Sequence, residues 1–163
     1  MTVETQTLKQ ALAKYVTGIT VVTTTDSAGR RWGFTASSFT PVSLDPPQIL
    51  VCIARSAQCH ATFMETDEFA VNVLTNQQEA VAERFARRGG DKFAGFPFEA
   101  GSHGLPVLDK ALAVFECETR DRFPAGDHTI LLGEVSNVRV SNGVPALYFD
   151  RKLRRVPCSQ PLL

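Results

Sequence analysis

The chain has 163 residues, 44% of them hydrophobic and 21% charged, with 17 Lys and Arg against 17 Asp and Glu and a net charge of zero. That length favours a single domain over 1–163 with a full core that needs no disulfide or metal. The charge balance excludes general electrostatic binding to nucleic acid or anionic lipid, which requires a basic excess. The four cysteines (Cys52, Cys59, Cys117, Cys158) form no C-x-x-C pair and have no His at zinc-ligand spacing. The first residues are polar, and no apolar run approaches the ~18 residues of a membrane span. The expectation is a cytoplasmic protein with reduced thiols, no metal and no membrane segment.

Thr7 with Gln10 has the form of a capping box, and Leu8, Ala11, Leu12 and Tyr15 recur at helical steps, predicting a short amphipathic helix to about Val16. Thr17-Gly18 breaks it. Residues 19–25 are β-branched throughout and read as a strand. The turn chemistry of Asp26-Ser27-Ala28-Gly29 makes a hairpin into a second strand at 31–35. Next comes Gly33-Phe34-Thr35-Ala36-Ser37-Ser38-Phe39, running on to the Asp45-Pro46-Pro47 turn. Small hydroxylated residues stand there where core filling would use larger apolar ones. The run is either a cradle for a nucleotide-like ligand or a strand end with serines facing water.

Residues 48–54 are apolar enough for a strand buried on both faces. Arg55 and Ser56 follow at a strand-to-helix junction, with Ser56 as N-cap of a helix over 57–66. A guanidinium, a hydroxyl and free backbone N–H groups suit a phosphate; the alternative is a capped helix beside a solvated arginine. Residues 69–74 form a strand with Asn72 as its one polar residue. Thr75 and Gln78 make a second capping box, opening a helix to Arg88 that Gly89-Gly90 ends.

The Gly- and Phe-rich stretch 89–106 reads as a lid or binding loop. Its Phe93, Phe96 and Phe98 either flank a planar ligand or pin the loop to the core. Residues 111–122 and His128–Val140 are long strands joined by a turn at 124–127, the second bent at Gly133 or Ser136. Asn142-Gly143 is a tight-turn signal before a last strand, Ala146–Phe149. Six or seven strands with few helices and no βαβ alternation predict a closed or nearly closed β-barrel.

No G-x-G-x-x-G, P-loop or G-x-S-x-G motif is present. Ser37 or Ser38 with His128 and an Asp has no orienting context for a triad. His60 reads as structural or surface, and His103 as exposed in a loop. His128 starts a strand after a turn, where it either reaches a pocket mouth or is simply structural.

Several segments together resemble the flavin reductase-like, FMN-binding split-barrel family. They are residues 15–23, the 33–39 and 42–47 runs already quoted, Phe69-Ala70-Val71-Asn72-Val73-Leu74, Arg84-Phe85-Ala86, Asp91-Lys92-Phe93, and Gly126-Asp127-His128 with Gly133-Glu134-Val135. Val16 departs from the Pro often found before Thr-Gly. The resemblance implies a mainly β fold, a six-stranded antiparallel split β-barrel with short peripheral helices. It also implies a homodimer with flavin near the interface.

By position, Thr35, Ala36, Ser37 and Ser38 would contact the isoalloxazine edge and the ribityl-phosphate. Cys52 and Ala54 would line the same site, Arg55 with Ser56 would hold the phosphate, and Phe85 and Ala86 would close the far side. His128 would seat the nicotinamide, with Tyr148 a further candidate for the same pocket. The implied activity is NAD(P)H-dependent reduction of FMN or FAD, with NADH or NADPH as hydride donor, supplying a separate flavin-dependent oxygenase. The alternative is a non-catalytic flavin- or haem-binding split-barrel carrier or sensor. An oxidase of the pyridoxamine-phosphate type lacks motif support.

Overall fold

A computed structural model describes residues 3–155; Cys158 lies outside that range. The chain begins with α1 (Thr5–Leu12), β1 (Thr17–Gly18), β2 (Thr20–Thr25), β3 (Arg31–Ala36), β4 (Thr40–Leu44) and β5 (Pro47–Ala54). Then come α2 (His60–Glu65), β6 (Glu68–Val73), α3 (Glu79–Ala86), β7 (Phe98–Ala100) and β8 (Pro106–Leu108). β9 (Ala113–Ala125), β10 (His128–Val140), β11 (Ala146–Phe149) and β12 (Lys152–Arg155) complete the order.

One seven-stranded sheet, β3-β2-β6-β9-β10-β5-β4, dominates, with every neighbour antiparallel. Where six strands are expected the main sheet has seven, because the chain folds back on β5 through the turn at Asp45-Pro46 and adds β4 at the edge. A second sheet, β1-β11-β12, and a β7-β8 hairpin flank it.

The β-branched β2 lies at the heart of the fold. Its Val21 and Val22, pointing to opposite faces as strand neighbours must, belong to two separate core clusters. Val22 packs inside the barrel with Phe34, Val51, Ile53, Phe63 and Leu131. Val21 packs outside it with Leu74, Phe85, Phe93 and Val107, beneath α3 and the long 89–106 segment. Buried threonines on β2 are satisfied: Thr20 donates to the Ala36 carbonyl, Thr23 to Pro106 and Thr24 to Glu68.

Several local expectations are corrected. α1 starts at Thr5 with Glu4 at its N-cap, so Thr7 lies inside the helix and its hydroxyl donates to Glu4 Oε2 at 2.7 Å. β5 buries only Ile49, Val51 and Ile53, in strict alternation. Its other face carries Cys52 and Ala54, which border a cavity rather than core. Ser56 does not cap α2, because turn bonds from Ala57 to Ala54 and from His60 to Ala57 consume the local amides and the helix begins only at His60. Gln78 does reach back to the Thr75 amide at 3.0 Å, yet α3 starts after it, at Glu79.

The 89–106 stretch is only partly irregular, since β7 and a single 3-10 turn (Ser102–Gly104) lie in it. Phe93 stacks edge-on with Phe85 and Phe98, both at 4.9 Å, which pins the loop to the core. β10 is irregular at both expected places, with register shifts at Leu132/Gly133 and Val135/Asn137.

Candidate functional site at the barrel seam

The main sheet does not close. β3 and β4 are its two edges, and the chain passes between them through Ser37-Ser38-Phe39. Edge strands leave backbone groups without ladder partners. Here a side chain takes up one residue's share: Ser38 Oγ accepts the Cys52 amide at 2.9 Å and donates to the Cys52 carbonyl at 3.4 Å. This hydroxyl clasp bridges β3 and β5 where a ladder would otherwise run.

A cavity of about 260 Å³ opens at this seam. β3 contributes Phe34 and Thr35, β5 contributes Cys52 and Ala54, and β10 contributes His128 at its first residue. The turn after β5 adds Ser56 to Cys59, the end of α3 adds Phe85 to Arg88, and Lys92 closes the wall. Close packing of α3 on β3 depends on Gly33, where a Cβ would lie 2.7 Å from Phe85 Cε1 and 2.9 Å from the Val22 carbonyl oxygen. Thr35 Oγ1 donates to the Ala82 carbonyl at 2.6 Å, fixing the hydroxyl and leaving its oxygen able to accept. The end of α3 is tied across the cavity by Arg88, which donates to the Ser56 carbonyl, and by the Gly89 amide, which donates to Gln58 Oε1 at 2.7 Å.

Among the described residues Arg87, Arg88 and Lys92 line the cavity and no carboxylate does, in a chain whose net charge is zero. Lys92 Nζ donates to the carbonyls of Phe85 at 3.0 Å and Gly33 at 3.3 Å. Burial pulls its pKa below the usual lysine value, with the Cys59 charge opposing. His128 Nδ1 meets Asp127 Oδ1 at 2.7 Å, which directs the other ring nitrogen to any ligand. That hydrogen bond, reinforced by the imidazole charge, holds the Asp127 carboxyl below its ordinary range.

Of the residues expected from sequence, Thr35, Cys52, Ala54, Ser56, Phe85, Ala86 and His128 meet at this cavity. Ser38 forms the clasp and Ser37 is exposed at the corner beside it. Ala36 is buried in the barrel core. Arg55 is exposed, its amide donating to the Asp127 carbonyl at 2.9 Å. Tyr148 sits on β11 opposite Thr17, packed against the outer core cluster. Gln58, Arg87, Arg88 and Lys92 were not foreseen as site residues. The one available signal was the Arg87-Arg88-Gly89-Gly90 run, two cations at a helix end followed by freely turning glycines.

The profile of the Flavin reductase like domain matches residues 12–157. This chain belongs to the flavin reductase-like family. It is 50% identical over 146 residues to actinorhodin polyketide dimerase of Streptomyces coelicolor, covering 89% of this chain and 82% of that one. It is 40% identical over 161 residues to the NADH:riboflavin 5'-phosphate oxidoreductase of Streptomyces pristinaespiralis, covering 97% and 92%. Its fold matches Streptomyces globisporus NADH:FAD oxidoreductase SgcE6, solved in complex with NAD and FAD fragments, with a TM-score of 0.90 at 33% identity over 99% of each chain.

The residues of this flavin reductase-like chain fit a flavin in kind. Hydroxyls and strand-edge backbone at the seam can bond a polar ring edge, and the cationic wall suits a phosphate.

Proposed function

We propose that this chain is a single-domain NAD(P)H-dependent flavin reductase over 1–163, using FMN or FAD and passing reduced flavin to a separate flavin-dependent oxygenase. The observation that carries the reading is the cationic cavity at the seam, with His128 at its rim. The names of the Streptomyces pristinaespiralis and Streptomyces globisporus relatives support it. When bound, flavin would supply the redox chemistry, as acceptor of a hydride from the nicotinamide. The protein aligns the two rings and excludes water, and the hydride step asks for no acid or base from the chain.

Thr35, Ala36, Ser37 and Ser38 are assigned to the flavin edge and side chain, and Cys52 and Ala54 to the adjoining wall. Arg55 and Ser56 go to the phosphate, and Phe85 and Ala86 to the far side. His128, steadied by Asp127, is assigned to the nicotinamide, with Tyr148 a further candidate for the same pocket. A homodimer belongs to the same reading. Edge strand β4 leaves Val42 and Leu44 exposed, Leu44 at 95%, and α1 buries none of its residues within the chain. So does a cytoplasmic setting, consistent with the free thiols of Cys52, Cys59 and Cys117. Among the described residues no helix is long and apolar enough to cross a membrane.

The test follows absorbance at 340 nm with purified protein and each pairing of NADH or NADPH with FMN or FAD. Turnover with at least one pair is expected. Tightly held flavin without nicotinamide oxidation would overturn the reading in favour of a carrier.

A further inference from the structure

A second concavity, about 920 Å³, adjoins the first and shares Gln58, Cys59 and Lys92 with it. The flavin site assigned above leaves most of its walls unused. One wall is the β2–β3 hairpin from Gly29 to Gly33, the other the segment from Gly89 to Phe93. Small-molecule sites typically enclose roughly 300–1,000 Å³, so the first cavity is small for a dinucleotide and the second supplies the missing room.

The larger concavity carries an unusual floor. The Arg30 guanidinium lies 4.2 Å from the Trp32 ring centroid, and that of Arg31 lies 4.6 Å from the Phe93 ring. Both rings are fixed. Trp32 Nε1 donates to Asp26 Oδ2 at 2.8 Å, and Phe93 is wedged against Phe85 and Phe98. Each guanidinium, held over its ring, keeps N–H groups for an acceptor and can present a face to a flat ring. Arg30 shares its charge with nearby Asp26. Arg31 and Lys92 make no ion pair among the described residues. Lining cations (Arg30, Arg31, Lys92) outnumber the one lining carboxylate, Asp91, whose Oδ1 already accepts the Phe93 amide at 3.0 Å.

We propose that this concavity seats the adenosine diphosphate half of a dinucleotide, with Lys92 and Arg31 on the diphosphate and the purine laid on a stacked guanidinium. The inference rests on the reductase reading, in which two reactants carry that moiety, FAD and the nicotinamide dinucleotide.

Arg31→Ala separates the sources, because Arg31 belongs only to the second concavity. Binding of FMN and FAD is titrated by flavin fluorescence, and KM is measured for NADH and for reduced nicotinamide mononucleotide. Losing one charge-assisted contact should weaken the adenosine-bearing ligand roughly tenfold or more. A fall in FAD affinity with FMN unchanged assigns the seat to the flavin. A rise in KM for NADH with the mononucleotide unchanged assigns it to the nicotinamide dinucleotide. Arg31→Lys should recover part of the loss, and an unshifted melting temperature verifies the fold. Unchanged FAD/FMN and NADH/mononucleotide ratios overturn the inference while leaving the flavin site intact. Failure of the unmodified protein to bind either FMN or FAD removes the reductase reading and this inference with it.

Discussion

Asn72 on β6 and Ser38 at the seam are both polar side chains bonded to backbone, in opposite settings. Asn72 is fully buried in the closed wall, where β6, β9 and β10 pair along their lengths. Its amide donates to the Val21 carbonyl and Thr23 Oγ1, and its Oδ1 accepts the Leu108 amide at 2.8 Å. Nearby Glu116, equally buried, accepts from the Ser102 amide and from Asn137. Every such group is consumed by the fold. Ser38 is half-buried and touches one residue of the facing strand, at a place where the ladder has stopped. Residue type does not separate structural from binding polarity here. What separates them is whether the ladder continues past the residue.

Phe85 tests whether the two walls share a foundation. Phe85 is fully buried in the outer core and also lines the cavity. Phe85→Ala should cost about 3–5 kcal/mol in urea unfolding and abolish flavin binding together with stability. Retained stability would show that it is a liner only.

Asn72→Leu, which strands buried donors and acceptors in the closed wall, should cost about 2–3 kcal/mol and leave the flavin affinity of the surviving folded protein alone. Ser38→Ala should show the reverse pattern: about 1 kcal/mol of stability, with the larger loss in flavin Kd by fluorescence titration. If both variants lose stability equally and neither loses affinity, the seam is merely more wall. His128→Ala should raise KM for NADH roughly tenfold, the scale of one lost hydrogen bond, and spare flavin binding; equal losses in both would remove it from the nicotinamide. Arg55→Ala should weaken FMN more than riboflavin, a preference read from paired titrations, because the lost contact is charge-assisted.

The smallest effect concerns thiols. Burial pushes the Cys117 thiol up to about 12, with the neighbouring Glu116 charge adding to it, and burial also raises that of Cys59. Since the thiolate is the reactive form, both should resist iodoacetamide at mildly alkaline pH. Cys52, half-buried at the seam, should be alkylated, and added FMN should slow it. Peptide mass spectrometry reads all three. Fast labelling of Cys117 would mean the closed wall is not closed.

Much of the fold was legible because its signals are local. The β-branched run of β2 and the Asp26–Gly29 turn each act within a few residues. The two faces of β5 were not legible from residue type: Leu50, Cys52 and Ala54 are apolar enough to mimic a second buried face, whereas Cys52 and Ala54 border the cavity. Ser56 has cap chemistry, but the Ala54–Ala57 turn spends the amides first. In the site, Thr35, Cys52 and His128 were found through the family resemblance. Arg87, Arg88 and Lys92 were missed for a physical reason: cations at a helix end or in a loop look solvated, and Lys92 is revealed only by the two carbonyls that α3 and β3 bring to it.

The Ser38 clasp has a use beyond holding an edge. The Cys52 amide depends on a single hydroxyl across the gap, whereas amides in the closed wall are protected by cooperative ladders. Its proton should therefore exchange with solvent at the rate at which the seam itself parts. That one proton is a built-in gauge, and its slowing would report how firmly an occupant draws the two barrel edges together.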